Sequence, residues 1–119
     1  MLYRAELERA LAYNRNCMIS WARVGISCRV EIQRLTRIAA ELLDAHPNLW
    51  IDITWLVFDY YVLGRLPTGY PSGDTLEDWV DLIEAHPDRF TVGTDKVGHW
   101  KIYSAEVMTW LSYVHCAFT

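Results

Sequence analysis

The sequence lacks the features that would assign it at once to a secreted, membrane or nucleic-acid-binding class. Its three cysteines are an odd number, without the even framework of a small disulfide-stabilised domain. Its longest uncharged run, residues 107–119, is shorter than the ~20 apolar residues of a membrane span. Eleven basic residues face fifteen acidic residues, which excludes a globally basic domain. We therefore expect reduced thiols and a cytoplasmic protein that does not contact membranes.

Patterns typical of catalytic and metal sites are also missing. The sequence contains no Cys-x-x-Cys or His-x-x-x-His pair, and the loop at residues 69–73 lacks the Gly-Lys-Ser/Thr ending of a phosphate-binding loop. Asp52 and Asp59 are the only paired carboxylates within an apolar segment. Asp52 is favoured as a helix cap, and Asp59 as either a rim residue or a core residue paired with an arginine. We expect no metal, no cofactor and no enzymatic activity.

Apolar side chains are abundant, at 52% of the residues, and this excludes a disordered chain. The length of 119 residues fits one domain, residues 1–119. Two prolines and several glycine and serine residues at positions 65–74 predict a flexible loop.

Apolar residues at three- and four-residue spacing predict five helices. The predicted helices cover residues 6–24, 28–45, 52–64, 75–86 and 106–118. Ser27, Asp52 and Ser104 are the expected N-caps of the second, third and fifth helices, and Thr75 with Asp78 resembles a capping box at the fourth. For the last segment a strand is the alternative, since Val, Trp, Tyr and Phe also favour sheets.

The predicted fold class is α+β, mostly helical, with one β-hairpin between the fourth and fifth helices. Its strands are expected at residues 90–92 and 99–103, and residues 48–51 are expected to be extended. This order resembles that of a winged-helix domain with an added C-terminal helix. In such a domain the helix before the hairpin enters the DNA major groove, but here residues 75–86 carry four carboxylates and no Lys or Arg. Binding of DNA by this helix is therefore disfavoured.

A weak internal similarity relates residues 42–48 to residues 82–88, each containing Ala-His-Pro. Each copy is expected to end a helix and to precede an extended segment. We favour the interpretation that the chain ends two helices with the same common local sequence. A duplicated structural unit is disfavoured, because the similarity does not extend beyond these seven positions.

Charge is divided along the chain. Residues 1–43 hold seven Arg and four Glu, a net +3, whereas residues 44–119 hold four basic and eleven acidic residues, a net −7. Six Trp and seven Tyr add side chains that are enriched at interfaces. Complementary charge and exposed aromatic residues together favour binding of a macromolecular partner.

The leading hypothesis is a small non-enzymatic interaction protein of the inhibitor, immunity or mobile-element accessory type, which binds a protein partner. The alternatives are a winged-helix DNA-binding regulator that uses its Arg-rich N-terminal half, and a small-molecule-binding domain with a Trp/Tyr-lined pocket. The expected partner-contacting residues are Asp74, Glu77, Asp78, Asp81, Glu84, Tyr70, Arg34, Arg37 and Trp100. The expected homodimer interface comprises Trp110, Leu111, Val114 and Phe118.

Overall fold

The computed structural model describes residues 4–25, 33–54, 57–65, 67, 69 and 71–93. Its regular elements are α1 (Arg4–Tyr13), β1 (Ile19–Trp21), α2 (Leu35–Ala45), β2 (Leu49–Thr54), α3 (Leu76–Ala85) and β3 (Phe90–Gly93). Short helical turns at Ala22–Gly25, Val57–Val62 and Pro87–Arg89 complete them. The chain therefore combines helices and strands, and the predicted mixed α+β class is confirmed.

The three strands form one parallel sheet in the order β1-β2-β3. Ile51 of the central strand pairs with Trp21 on one side and with Phe90 on the other. Because successive side chains of a strand point to opposite faces, Leu49, Ile51 and Ile53 share one face, and all three are buried. The core of the described structure lies against that face.

The helices cover the buried face of the sheet. Right-handed crossovers, which parallel strands adopt almost without exception, place α2 and α3 on the same side. Their apolar residues belong to the same buried cluster as β2, with Leu42 and Trp79 fully enclosed. The first helix, α1, also contributes Leu11 to this cluster. It is joined to α2 by an ion pair in which Arg4 Nη1 lies 3.0 Å from Glu41 Oε2.

The N-terminus of α2 is capped by a carboxylate from a distant part of the chain. The Asp74 side chain is completely buried and accepts hydrogen bonds from the Thr36 amide (3.2 Å), the Thr36 hydroxyl (2.7 Å) and the Ser72 hydroxyl (2.7 Å). The Arg34 amide also donates to the Ser72 carbonyl. Residues 71–74, which lead into α3, are thereby anchored to the start of α2.

Two side chains that lie just before β2 and β3 donate hydrogen bonds to carbonyl groups. The buried Asn48 amide donates to the carbonyls of Leu11, at the end of α1, and of Cys17, each at 3.0 Å. Arg89 donates to the carbonyls of His46 and Leu49, each at 2.6 Å. Each side chain therefore ties one helix–strand unit to the preceding one.

Each of the two similar segments ends a helix, α2 or α3, as expected. His46 and His86 are the C-cap residues, and their amides donate back to Leu42 and Ile83. Each segment then leads directly into a strand, β2 or β3, and these strands are neighbours in the sheet. The same local sequence thus serves the same position in two consecutive helix–strand units.

The prediction of a helix over residues 6–24 is wrong beyond Tyr13. The Asn14 side chain accepts a hydrogen bond from the Asn16 amide at 3.0 Å, a local turn that competes with the helix, and the chain then forms β1. Met18, which lies in the predicted helical range, is 64% exposed. Helical spacing of apolar residues therefore continued across a turn and into a strand.

The second predicted helix ends correctly at Ala45, but it begins later than expected in the described structure. Residues 33 and 34 form a turn, with Arg34 in a left-handed conformation (φ 54°) as the N-cap of α2. The predicted start at residues 27–32 lies outside the described residues.

The third predicted helix, residues 52–64, is also wrong in its first part. Asp52 is not an N-cap, because it lies inside β2, which extends the predicted segment 48–51 to Thr54. The helical structure described within this range, Val57–Val62, is a single wide turn, in which the Leu63 amide donates to the Phe58 carbonyl five residues earlier.

The predicted hairpin and winged-helix order do not match the described sheet. The strand expected at residues 90–92 is present as β3, but its partner is the parallel strand β2. A sheet whose strands alternate with helices is a different architecture from a winged helix. The other predicted hairpin strand, residues 99–103, and the predicted helix 106–118 lie outside the described residues.

We predict that Asp74→Asn lowers the free energy of unfolding by about 2 kcal/mol, because an amide nitrogen replaces an acceptor that faces buried donors. Urea denaturation at neutral pH measures the effect. The matched control is Asp81→Asn, an exposed position, where we expect a change within about 0.5 kcal/mol. Equal effects of the two substitutions would refute the assigned role of Asp74.

We also predict that Asn48→Ala destabilises the fold by about 2 kcal/mol, since it leaves buried carbonyls at the α1–β1 connection without a donor. Asn16→Ala is the control in the same connection, because Asn16 is exposed and only its main-chain amide takes part in a described hydrogen bond. Thermal unfolding should show a clear loss for the first variant and little change for the second. A reversed ranking would contradict the proposed tie.

Candidate interaction surface

The outer face of α3 carries a row of acidic side chains. Glu77, Asp81 and Glu84 are exposed, and their spacing of four and then three residues places them along one side of the helix. Asp88, in the turn that follows α3, is exposed as well. We refer to Glu77, Asp81 and Glu84 as the acidic row.

The acidic row is not neutralised within the described part of the chain. No ion pair there involves Glu77, Asp81, Glu84 or Asp88. Like charges at this spacing on a helix repel one another, and the repulsion is relieved when a cation approaches. The row therefore presents negative charge toward solvent at a modest cost in helix stability.

Two other acidic residues of the predicted partner-contacting set have structural roles. Asp74 is buried under α2, as described above, and its carboxylate is not available to a partner. Asp78 completes the predicted capping box of α3: its carboxylate accepts from the Thr75 amide at 2.7 Å, and its own amide donates to the Thr75 hydroxyl at 3.2 Å. Both residues therefore have structural roles that do not require a binding partner.

Hydrogen bonds lower the pKa of the Asp78 carboxyl group. The largest cause is the bond from the Thr75 amide, followed by the bond from the Thr75 hydroxyl, and the positive charge of Arg34 adds to the effect. These interactions favour the ionised form at the positive end of the α3 dipole. The capping box is therefore strongest when Asp78 is ionised.

Three arginines of the N-terminal half, Arg4, Arg9 and Arg37, are paired with acids of α1 and α2. Glu41 receives both Arg4 Nη1 (3.0 Å) and Arg37 Nε (3.2 Å), and these two guanidinium groups lower the pKa of its carboxyl group. Arg9 lies 3.4 Å from Glu6. Arg34 is exposed and lies near Asp78. The predicted basic surface around Arg34 and Arg37 is therefore less positive than the sequence implied.

The structure separates the only carboxylates considered for catalysis. Asp52 lies within β2, whereas Asp59 lies in the turn Val57–Val62 and is 3.8 Å from Arg65 Nη1. Of the two alternatives for Asp59, a rim residue or a residue paired with an arginine, the structure shows the pairing, with Arg65. The expectation that the two residues share one helix is wrong, because β2 extends to Thr54.

Several other predicted contact residues lie outside the described structure. These are Tyr70 and Trp100, and all four residues of the expected dimer interface, Trp110, Leu111, Val114 and Phe118. Among the described residues, His, Cys, Asp and Glu side chains form no group suited to a metal ion. In that same part of the chain, no helix is long and apolar enough to cross a membrane.

One contact that positions the surface was missed in the sequence. His86 Nε2 lies 3.2 Å from Asp44 Oδ1, joining the C-terminal ends of α3 and α2. The repeated Ala-His-Pro segments marked both helix ends, but only packing of the two helices brings Asp44 to His86. Together with the Asp74 cap at the other end, this contact links α3 to α2 near both of its ends.

Comparison of the chain with protein-family models, with characterised proteins and with solved structures gave no match.

We predict that the stabilisation provided by Asp78 disappears in acid. Its pKa is lower in the folded state than in the unfolded state, so the stabilisation is complete at neutral pH and falls once the pH drops below about 3.8. Wild-type protein should exceed Asp78→Asn in unfolding free energy by about 0.5 kcal/mol at pH 7. Urea unfolding at several pH values should show this difference shrinking below pH 3.8, and a constant difference would contradict the prediction.

Proposed function

We propose that the protein is a small non-enzymatic interaction protein that binds a basic surface of a macromolecular partner through the outer face of α3. The observation that carries this proposal is the acidic row, Glu77, Asp81 and Glu84, which is exposed and has no ion-pair partner among the described residues. Interaction proteins of the inhibitor, immunity or mobile-element accessory type act in this way, by occupying a partner.

The rigidity of α3 supports this proposal. Trp79 is fully buried on its inner side, the capping box fixes its first turn, and the Asp44–His86 contact holds its end. A binding element that is already ordered loses little conformational entropy on association. The acidic row is therefore presented in a fixed geometry that an array of Lys or Arg side chains can match.

The distribution of charge favours a protein over DNA as the partner. Binding to duplex DNA requires cations for the phosphates, and three of the described arginines, Arg4, Arg9 and Arg37, are paired with carboxylates. An acidic helix repels the duplex but attracts a basic protein, including one whose basic site normally binds nucleic acid. Complementary charge of this kind raises the association rate and selects partners.

We predict that neutralising the acidic row in Glu77→Gln/Asp81→Asn/Glu84→Gln weakens partner binding about tenfold at low salt, at roughly 0.5 kcal/mol per exposed charge. Affinity capture from extracts of the source cells, with mass spectrometry, should identify a basic protein retained by the wild-type chain. Titration of that purified protein then measures the loss, and added salt should weaken wild-type binding.

The matched control for this experiment is Ala5→Lys/Ala12→Lys/Asn16→Lys, which changes exposed positions around α1. Both triple variants shift the formal net charge from −4 to −1, so they differ only in where the charge changes. The control should bind as the wild type does. Equal weakening in both variants would reject the acidic row as the binding surface. Salt-dependent binding to duplex DNA, lost in Arg34→Ala/Arg37→Ala, would support the DNA-binding alternative instead.

We further propose that the chain forms a homodimer through the uncharged segment 107–119. Its apolar residues Trp110, Leu111, Val114 and Phe118 recur at helical spacing, and a surface of this composition is unfavourable in water. Light scattering at micromolar concentration should give twice the monomer mass of 13.9 kDa. Val114→Asp should shift the protein toward the monomer, and a monomeric wild-type chain would refute the dimer.

A further inference from the structure

We draw no further inference here: the strongest candidate, the carboxyl edge of the sheet where the left-handed turn at Arg23 and Val24 follows β1 and the buried Thr54 hydroxyl ends β2 without a hydrogen-bond partner among the described residues, carries nothing because the described structure does not show what ligand would cover it.

Discussion

The buried Asp74 carboxylate is the interaction on which the arrangement of the helices depends. It lies 38 residues from the helix start that it caps, and it joins the segment before α3 to the N-terminus of α2. A buried carboxylate is unfavourable unless its oxygens accept hydrogen bonds, and three donors from Thr36 and Ser72 meet this requirement. The position of α3, and hence of the acidic row, follows from this contact.

The described residues form three helix–strand units, α1–β1, α2–β2 and α3–β3, and side chains from later units tie the units together. Asn48 holds the end of α1 and the start of β1, and Arg89 holds the end of α2 and the start of β2. Burial lowers the pKa of the Arg89 guanidinium group, yet two short hydrogen bonds to carbonyls compensate its lost hydration. The ends of α1 and α2 are therefore held by contacts with side chains from the next unit. Because these contacts do not use the outer faces of the helices, those faces can differ in charge.

Local signals predicted α3 well, because everything that starts and stops it lies within a few residues. Thr75 and Asp78 form the capping box, and the Ala-His-Pro segment ends the helix at His86. The end of α2 was predicted for the same reason. The boundary between α1 and β1 was not predicted, because Leu7, Leu11 and Met18 keep helical spacing across the turn at Asn14. The Asn48 side chain that stabilises this turn comes from a distant part of the chain, the turn before β2.

The sequence by itself determined the mixed fold class, the start and end of α3, the strand at Phe90 and the concentration of negative charge in the C-terminal half. Only the tertiary structure decided which charges are available to a partner. Asp74 and the acidic row are close in sequence and alike in chemistry, but burial turns the first into a helix cap and leaves the second exposed. The physical reason is that hydration of a carboxylate depends on what packs around it, and that environment is assembled from residues far apart in the chain.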